Sequence, residues 1–260
     1  AGSGSAVVKV GHIGMGGHDL LGSVADGAAP TVSAISDGAT TVTVGRYAKF
    51  YEPTDLARLT GGNGLLDPEM FAADAMASYA ATLVSLIAAE VDSFATVKGT
   101  STADLTVATF LAGVTALEVA KVESPFLALL APQQIGDLRA DLASSTAGAV
   151  QWAESTQAQL IQMSGNYKGK FLGVDIMSSA HVTDDGTDKL GGIFGRGAVV
   201  WADGTIPTSG DANAINVGNK VLFERDRSAK SGLTAYVSSA YMGVSEGIDL
   251  AGVTLRSGNS

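Results

Sequence analysis

One segment, "LLDPEMFAADAMASYAATLVSLIAAEVDSF" (Leu65 to Phe94), constrains the fold more than any other. Asp67 is a good helix N-cap, Pro68 suits the first helical position, and Glu69 favours the positive end of a helix. Met76, Ala80, Leu83, Ile87, Val91 and Phe94 recur at spacings of three and four and predict one apolar stripe. Gly99 is the expected stop. A helix of roughly 25–30 residues at 1.5 Å per residue is a rod of about 40 Å. Such a rod is long for a globular domain and has to lie along something extended. Its most apolar window, Ala75 to Ala89, is bounded by Asp74 and Glu90 and falls short of the ~20 residues of a membrane span. The opening "AGSGSA" lacks a signal-peptide pattern, so the expectation is a soluble protein trimmed of its initiator Met, with no membrane partner.

The first fifty residues have no helical period. Gly22, Gly27, Pro30 and Gly38 punctuate them, between the β-prone runs "AVVKVGHI" and "ATTVTVGRYAKFYE". In the second run Val42, Val44 and Arg46 alternate with Thr41, Thr43 and Gly45, as in a strand. Two strands around a long polar segment predict an extended hairpin or arm, which is commonly functional. After the long helix comes a second, in "STADLTVATFLAGVTALEVAK". Thr102 is its expected cap and Val107, Phe110, Leu111, Val114 and Leu117 its buried face. The run Phe126 to Leu130 reads as a strand buried on both sides, and Pro132 opens a helix whose Ile135, Leu138 and Leu142 face inward. Lys168 to Trp201 is glycine-rich and β-leaning; a polar loop, Thr205 to Gly218, precedes the closing strands "NKVLFERDR", "LTAYVSSAYMGV" and "AGVTLRSG". The fold class is α+β.

Most chemistries are excluded by what the chain lacks. Its 16 basic residues against 26 acidic give a net charge of −10, and no Lys/Arg run exceeds a pair, so tight binding to a nucleic-acid backbone is not expected. With no cysteine there is no disulfide, thiolate metal site or thiol nucleophile. Gly14 and Gly16 resemble the start of a dinucleotide loop, with Asp37 about 20 residues on. The third glycine position is Asp19, however, and "DLLGSVADGAAP" cannot supply the helix that would hold a pyrophosphate. His12, His18 and His181 show no ligand spacing, and "DDGTD" (Asp184 to Asp188) misses the calcium-loop pattern and reads as an acidic turn. No nucleophile elbow or Walker loop is present, so neither catalysis nor a cofactor is expected. In "FERDR", Glu224 and Asp226 point to one face of a strand while Arg225 and Arg227 point to the other. That arrangement suits an exposed edge or an ionic contact between subunits. Charged residues are only 16% of the chain and small residues are abundant, which hints at surface hidden against neighbours.

The order of elements resembles the major capsid proteins of tailed bacteriophages with the Hong Kong 97-type fold. The stretch from Thr41 to Phe94 is similar to the return strand of that family's E-loop, a connector and its spine helix. "SPFLALLAPQQIGDLRADL" resembles the strand–proline–helix segment of its axial (A) domain, and "GRGAVVWADGTIP" and "YMGVSEGIDLAGVTLRSG" resemble its late strands. The resemblance implies an N-terminal arm and E-loop over 1–50, a peripheral (P) domain with the spine helix over 51–100, an A-domain over 101–220, and closing P-domain strands over 221–260. It also implies a non-enzymatic shell protein that assembles with itself into pentamers and hexamers around double-stranded DNA. Scaffolding, portal and decoration proteins are implied partners, and a virion assembled in the host cytoplasm is the implied location. Leu20, Leu21, Val32 and Ile35 on the arm join Glu224, Arg225, Asp226 and Arg227 as candidate intersubunit contacts. An encapsulin-like nanocompartment shares the architecture. An extracellular β-rich adhesin and a nicotinamide-dependent enzyme remain more distant alternatives.

Overall fold

Alternation along the last strand of the chain organises one half of the molecule, and the long helix organises the other. The computed structural model describes residues 6–13, 37–60, 68–143, 167–204, 214–217 and 220–259. Its strands and helices, in chain order, are β1 (Val7–Ile13), β2 (Asp37–Thr43), β3 (Gly45–Tyr51), α1 (Asp55–Thr60), α2 (Pro68–Asp92), β4 (Val97–Lys98), α3 (Val107–Val119), β5 (Phe126–Leu130) and α4 (Pro132–Ala143). They continue with β6 (Tyr167–Phe171), β7 (Val174–Ser178), β8 (Thr183–Asp184), β9 (Asp188–Phe194), β10 (Val199–Gly204), β11 (Ala214–Val217), β12 (Val221–Ser228), β13 (Leu233–Glu246) and β14 (Gly252–Gly258). A 3-10 turn, Asp249–Ala251, precedes β14. The chain divides into two units: unit 1 is Ala1–Val8, Thr41–Leu86 and Trp201–Val244, and unit 2 is Lys9–Thr40, Ile87–Val200 and Ser245–Ser260.

Unit 2 is built on a sheet of order β4-β14-β9-β5-β7-β6, with β8 on the flank of β9. Successive side chains of a strand point to opposite faces. Val253 and Leu255 of β14 therefore join Ile193 of β9 and Ala128 and Leu130 of β5 in one core with Phe110, Val114 and Leu117 of α3 and Ile135 and Leu138 of α4. The alternate positions serve the other face: Thr254 Oγ1 donates to the Val91 carbonyl at 2.7 Å. A Cβ on Gly252 would stand 2.3 Å from the Phe94 ring, so only glycine lets that ring lie on the strand. Gln134, wholly buried, ties the sheet to α4: its Oε1 accepts from the Ala131 N–H at 3.1 Å, and its Nε2 donates to the carbonyls of Lys189 (3.1 Å) and Leu255 (3.0 Å).

The expectations for β5 and α4 hold: β5 is buried on both faces and α4 starts at Pro132. Three local expectations are corrected. The cap of α3 is Thr106, which accepts from the Thr109 N–H at 3.2 Å, and the helix starts five residues after Thr102. Asp137 and Asp141 of α4 accept from the N–H groups of Leu105 and Val107, so a neighbouring helix supplies the negative charge that this end favours. Gly99 does not stop α2, which ends at Asp92; it lies beside β14 with φ +100, where a Cβ would meet the Arg256 carbonyl. The outer face of α3 includes Leu111, expected inside but 48% exposed.

Unit 1 holds a sheet of order β10-β13-β12-β11, with β3 paired to β13 from Gly45↔Met242 to Tyr51↔Tyr236. Its face is covered by the first part of α2, where Ala75, Met76, Tyr79, Leu83 and Leu86 pack on Val221, Ala240 and Met242. Ala80, expected in the stripe, is exposed, and Phe94 lies past the helix end. Apolar residues occur all around α2, so spacing alone could not set which side faces inward. A row of rings extends this core: Tyr51 on Phe71 (4.9 Å), Phe71 on Tyr236 (5.2 Å) and Tyr236 on Phe223 (5.7 Å). Strands β1 and β2 pair in a separate two-stranded sheet, and the alternating run breaks at Val44 into β2 and β3.

Candidate assembly surface

The charged strand is placed first. Residues Val221 to Glu224 of β12 pair on both sides, with β11 and β13, so this half is interior to the sheet and not the edge that the charge pattern predicts. From Arg225 to Ser228 only β13 pairs with it among the described residues, and these positions are exposed. Arg227 is engaged within its own chain, donating from Nη2 to Asp55 Oδ2 at 2.8 Å. Asp55 begins α1, and its N–H donates to the Gly232 carbonyl at the turn between β12 and β13, which fixes α1 beside that hairpin. Arg225 and Asp226 face solvent on either side of the strand. Leu20, Leu21, Val32 and Ile35 lie outside the described residues, as does the Gly14–Asp19 loop.

Large apolar side chains are exposed on elements that no sequence motif marks. Thr54 Oγ1 accepts from the Ala57 N–H at 2.9 Å and caps α1, a helix of six residues. Its Leu56 is 69% exposed and its Leu59 82%. Phe50 on β3, Met70 at the start of α2, and Trp201 and Ile215 on the sheet are also large, apolar and open to solvent in unit 1. The signal was the Leu-x-x-Leu spacing in "DLARLT", too short to register as a periodic helix. Unit 2 contributes Leu111 and Val119 on α3, the latter 76% exposed.

Helix α2 is long and apolar enough to cross a membrane by length and composition, with a mean hydropathy of 1.5 over a window of which only 6% is buried. The apolar stretch is thus longer than the window read from sequence. Beneath the Ala75–Thr82 part of α2 a cavity of about 180 Å³ opens in unit 1, lined by Tyr47 and Lys49 of β3, Ser78 and Thr82 of α2, and Ser238 and Met242 of β13. At its rim Lys49 Nζ donates to Asp74 Oδ2 and, at 3.0 Å, to Ser78 Oγ; the Tyr51 hydroxyl also donates to Asp74. Lys49's hydrogen bond, then Tyr51's, holds the Asp74 carboxyl below the usual carboxylate range, and the same bond to Asp74 raises the Lys49 ammonium. Farther along, the Tyr79 hydroxyl donates to Asp203 at 3.3 Å, and Lys220 pairs with Asp203 while lying 5.2 Å from the Trp201 ring centre. Burial, then the Asp203 charge, pushes the Tyr79 hydroxyl up to about 12.

Among the described residues no cluster of His, Asp and Glu is placed to hold a metal. His181 is exposed, and its N–H donates to Ser179 Oγ. In "DDGTD" the carboxylates serve their own backbone: Asp184 accepts from the Gly186 N–H, and Asp185 from those of Thr187 and Asp188. Asp188 is buried, accepts from the Thr102 N–H and faces Arg256 at 3.6 Å.

No protein-family model and no curated protein matches the sequence. Solved structures do. The chain is similar to a structure from Mycobacterium phage Che8, at 16% identity and a TM-score of 0.68, over 96% of this chain and 84% of that one. It is similar to the head structure of Helicobacter pylori bacteriophage KHP40 at 13% identity and a TM-score of 0.64, over 100% of this chain and 86% of that one. The SrpI encapsulin of Synechococcus elongatus also matches, at 12% identity and a TM-score of 0.60, over 96% and 81%. The mixed helix-and-sheet fold expected from the sequence is therefore that of phage capsid structures, and an encapsulin shares it.

Proposed function

We propose that the chain is the major capsid protein of a tailed bacteriophage, which assembles with itself into pentamers and hexamers and then into an icosahedral head around double-stranded DNA. The observation that carries this reading is the extent of the fold match, which takes in 96–100% of the chain in the phage structures named above. It is supported by the exposed apolar residues of α1, β3 and α3, which a lone subunit leaves facing water. Residues 1–50 act as the arm and E-loop, 51–100 carry the spine helix of the P-domain, 101–220 form the A-domain, and 221–260 return to the P-domain. On this reading the β1–β2 ribbon lies on an adjacent copy, with Leu20, Leu21, Val32 and Ile35 among its contacts and Glu224 to Arg227 at another junction. Many weak contacts per subunit add up through multivalency. The net charge of −10 suits a wall that contains DNA without gripping it. Scaffolding, portal and decoration proteins belong to the same reading, as do assembly in the host cytoplasm and residence in the virion. No catalytic role is proposed.

The encapsulin neighbour favours a second reading, an encapsulin-like nanocompartment shell protein that encloses an enzyme cargo instead of DNA. Negative-stain microscopy of the purified chain tests both: uniform closed particles support a shell, and a stable monomer at high concentration overturns it. Nuclease-protected DNA in particles from the native source separates a phage head from a nanocompartment. Replacing residues 14–36 by a tight turn leaves unit 2 folded and impairs particle formation; particles that form as before remove the arm from the assembly mechanism.

A further inference from the structure

Unit 1 carries a hole and a knob on separate surfaces. The hole is the cavity of about 180 Å³ under α2, lined by the buried residues Ala75, Val221, Ala240 and Met242. The hydroxyls on its walls have already given their protons away: Thr82 to the Ser78 carbonyl at 2.8 Å, Ser238 to the Lys49 carbonyl at 3.2 Å, and Tyr79 to Asp203 at 3.3 Å. What these walls have left to offer a guest is close contact, which favours an apolar group over a polar one. A cavity of about 150 Å³ takes a guest the size of benzene, and the isobutyl group of a leucine is smaller.

The knob is α1, whose exposed Leu56 and Leu59 stand three residues apart on one face. Leu59 does not fill the cavity of its own chain. Helix α1 is held at the far end of β13, where Thr54 pairs with Leu233 and the Asp55 N–H donates to the Gly232 carbonyl. Ser238, the first β13 residue on the cavity wall, lies about 17 Å farther along that strand. An exposed ion pair flanks each surface, Arg227 with Asp55 beside the knob and Lys49 with Asp74 at the hole. Each surface thus shows one cation and one anion, and the two can meet with opposite charges facing.

We propose that the α1 leucines of one copy seat in the α2 cavity of the next copy, with Leu59 innermost. This seat rests on the self-assembly reading above, because it needs neighbouring copies. Knob and hole are different surfaces, so the contact is heterologous: it runs head to tail and closes into a ring rather than a two-fold dimer. Two leucines bury far less than the roughly 800 Å² per partner of a standard stable interface. The seat therefore holds as one of several contacts between copies, which add through multivalency.

The chain has no cysteine, so an introduced pair reports on one contact alone. The full chain carrying Leu59→Cys and Ser78→Cys is assembled, mildly oxidised and run on a denaturing gel without reductant. The expected result is a ladder of linked dimers, trimers and higher species that collapses on reduction, because each copy offers one knob and one hole. A disulfide needs Cα atoms within about 7 Å, so the ladder requires the seat itself. The control pair Leu59→Cys with Leu111→Cys, whose second thiol lies on the exposed face of α3, stays monomeric on the gel. Particles whose Leu59→Cys, Ser78→Cys chains stay monomeric, or a control ladder of equal length, overturn the seat and leave the shell reading standing. A wild-type chain that forms no particles removes both. Should Ser78→Cys block assembly, Thr82→Cys, one turn farther along α2, takes its place and the same ladder is required.

Discussion

Unit 2 and unit 1 solve the problem of burying a sheet in different ways. In unit 2 the sheet carries helices on one face and the end of α2 on the other, and its central residues, Ala128, Leu130, Ile193 and Leu255 among them, are closed off from water. In unit 1 one helix covers one face, the buried aliphatic cluster reduces to Ala75, Val221, Ala240 and Met242 with partly covered neighbours, and large apolar side chains stay open. The first is a finished core. The second leaves more of its large apolar side chains in water.

Substitutions can break this contrast or sharpen it. The largest effect belongs to Phe110→Ala: the side chain is wholly buried and packs on Phe171 at 5.4 Å. The expected cost is about 3–5 kcal/mol in chemical denaturation, and a cost near that of a surface change would mean that unit 2 is not the stable half. Gly252→Ala forces a methyl into the Phe94 ring, for an expected loss of roughly 1–3 kcal/mol by the same measurement. In unit 1, Tyr79→Phe removes one hydrogen bond to Asp203 and costs about 0.5–1.5 kcal/mol. Because the folded Tyr79 holds its proton up to about 12, its contribution is present below the ordinary tyrosine value and lost as pH rises through the raised one. An ultraviolet tyrosinate titration shows the last step of the wild type disappearing in the variant. The smallest effect on the isolated subunit is that of Leu59→Ser, within about 0.5 kcal/mol, since the side chain is already in water. The same change is expected to lower the yield of particles by microscopy, and a yield equal to wild type would exclude α1 from the contacts.

The sequence made the local part of this architecture readable and left out what distant residues decide. The strand Phe126–Leu130 and the helix after Pro132 follow from an unbroken apolar run and a helix-starting proline, both local signals. The start of α3 does not: Thr102 and Thr106 are both competent caps, and Asp137 and Asp141, more than thirty residues on, favour the second. Strand β11 hides in a polar loop because four residues have too little period to read; its pairing from Ala214↔Glu224 to Val217↔Val221 makes it a strand. The side of α2 that faces inward was ambiguous for a related reason, since apolar residues surround the helix. For the candidate contacts the charge alternation of Glu224 to Arg227 was legible, whereas the partner of Arg227, 172 residues away at Asp55, was not. The exposed pair Leu56 and Leu59 went unread because one turn of helix has no repeat.

The buried amide of Gln134 has a consequence for how the chain finds its alignment. Its nitrogen needs two carbonyls at once, one from β9 at Lys189 and one from β14 at Leu255. A slip of either strand by one residue turns that strand's side chains to the wrong face and moves its carbonyl out of reach, leaving a donor stranded inside the core. On β14 the same slip would bring Thr254 and Arg256 to the core face in place of Val253 and Leu255, so the amide and the side-chain alternation select the same register. Gln134 therefore works as a gauge of strand alignment, accepting one threading of the sheet and penalising its near neighbours.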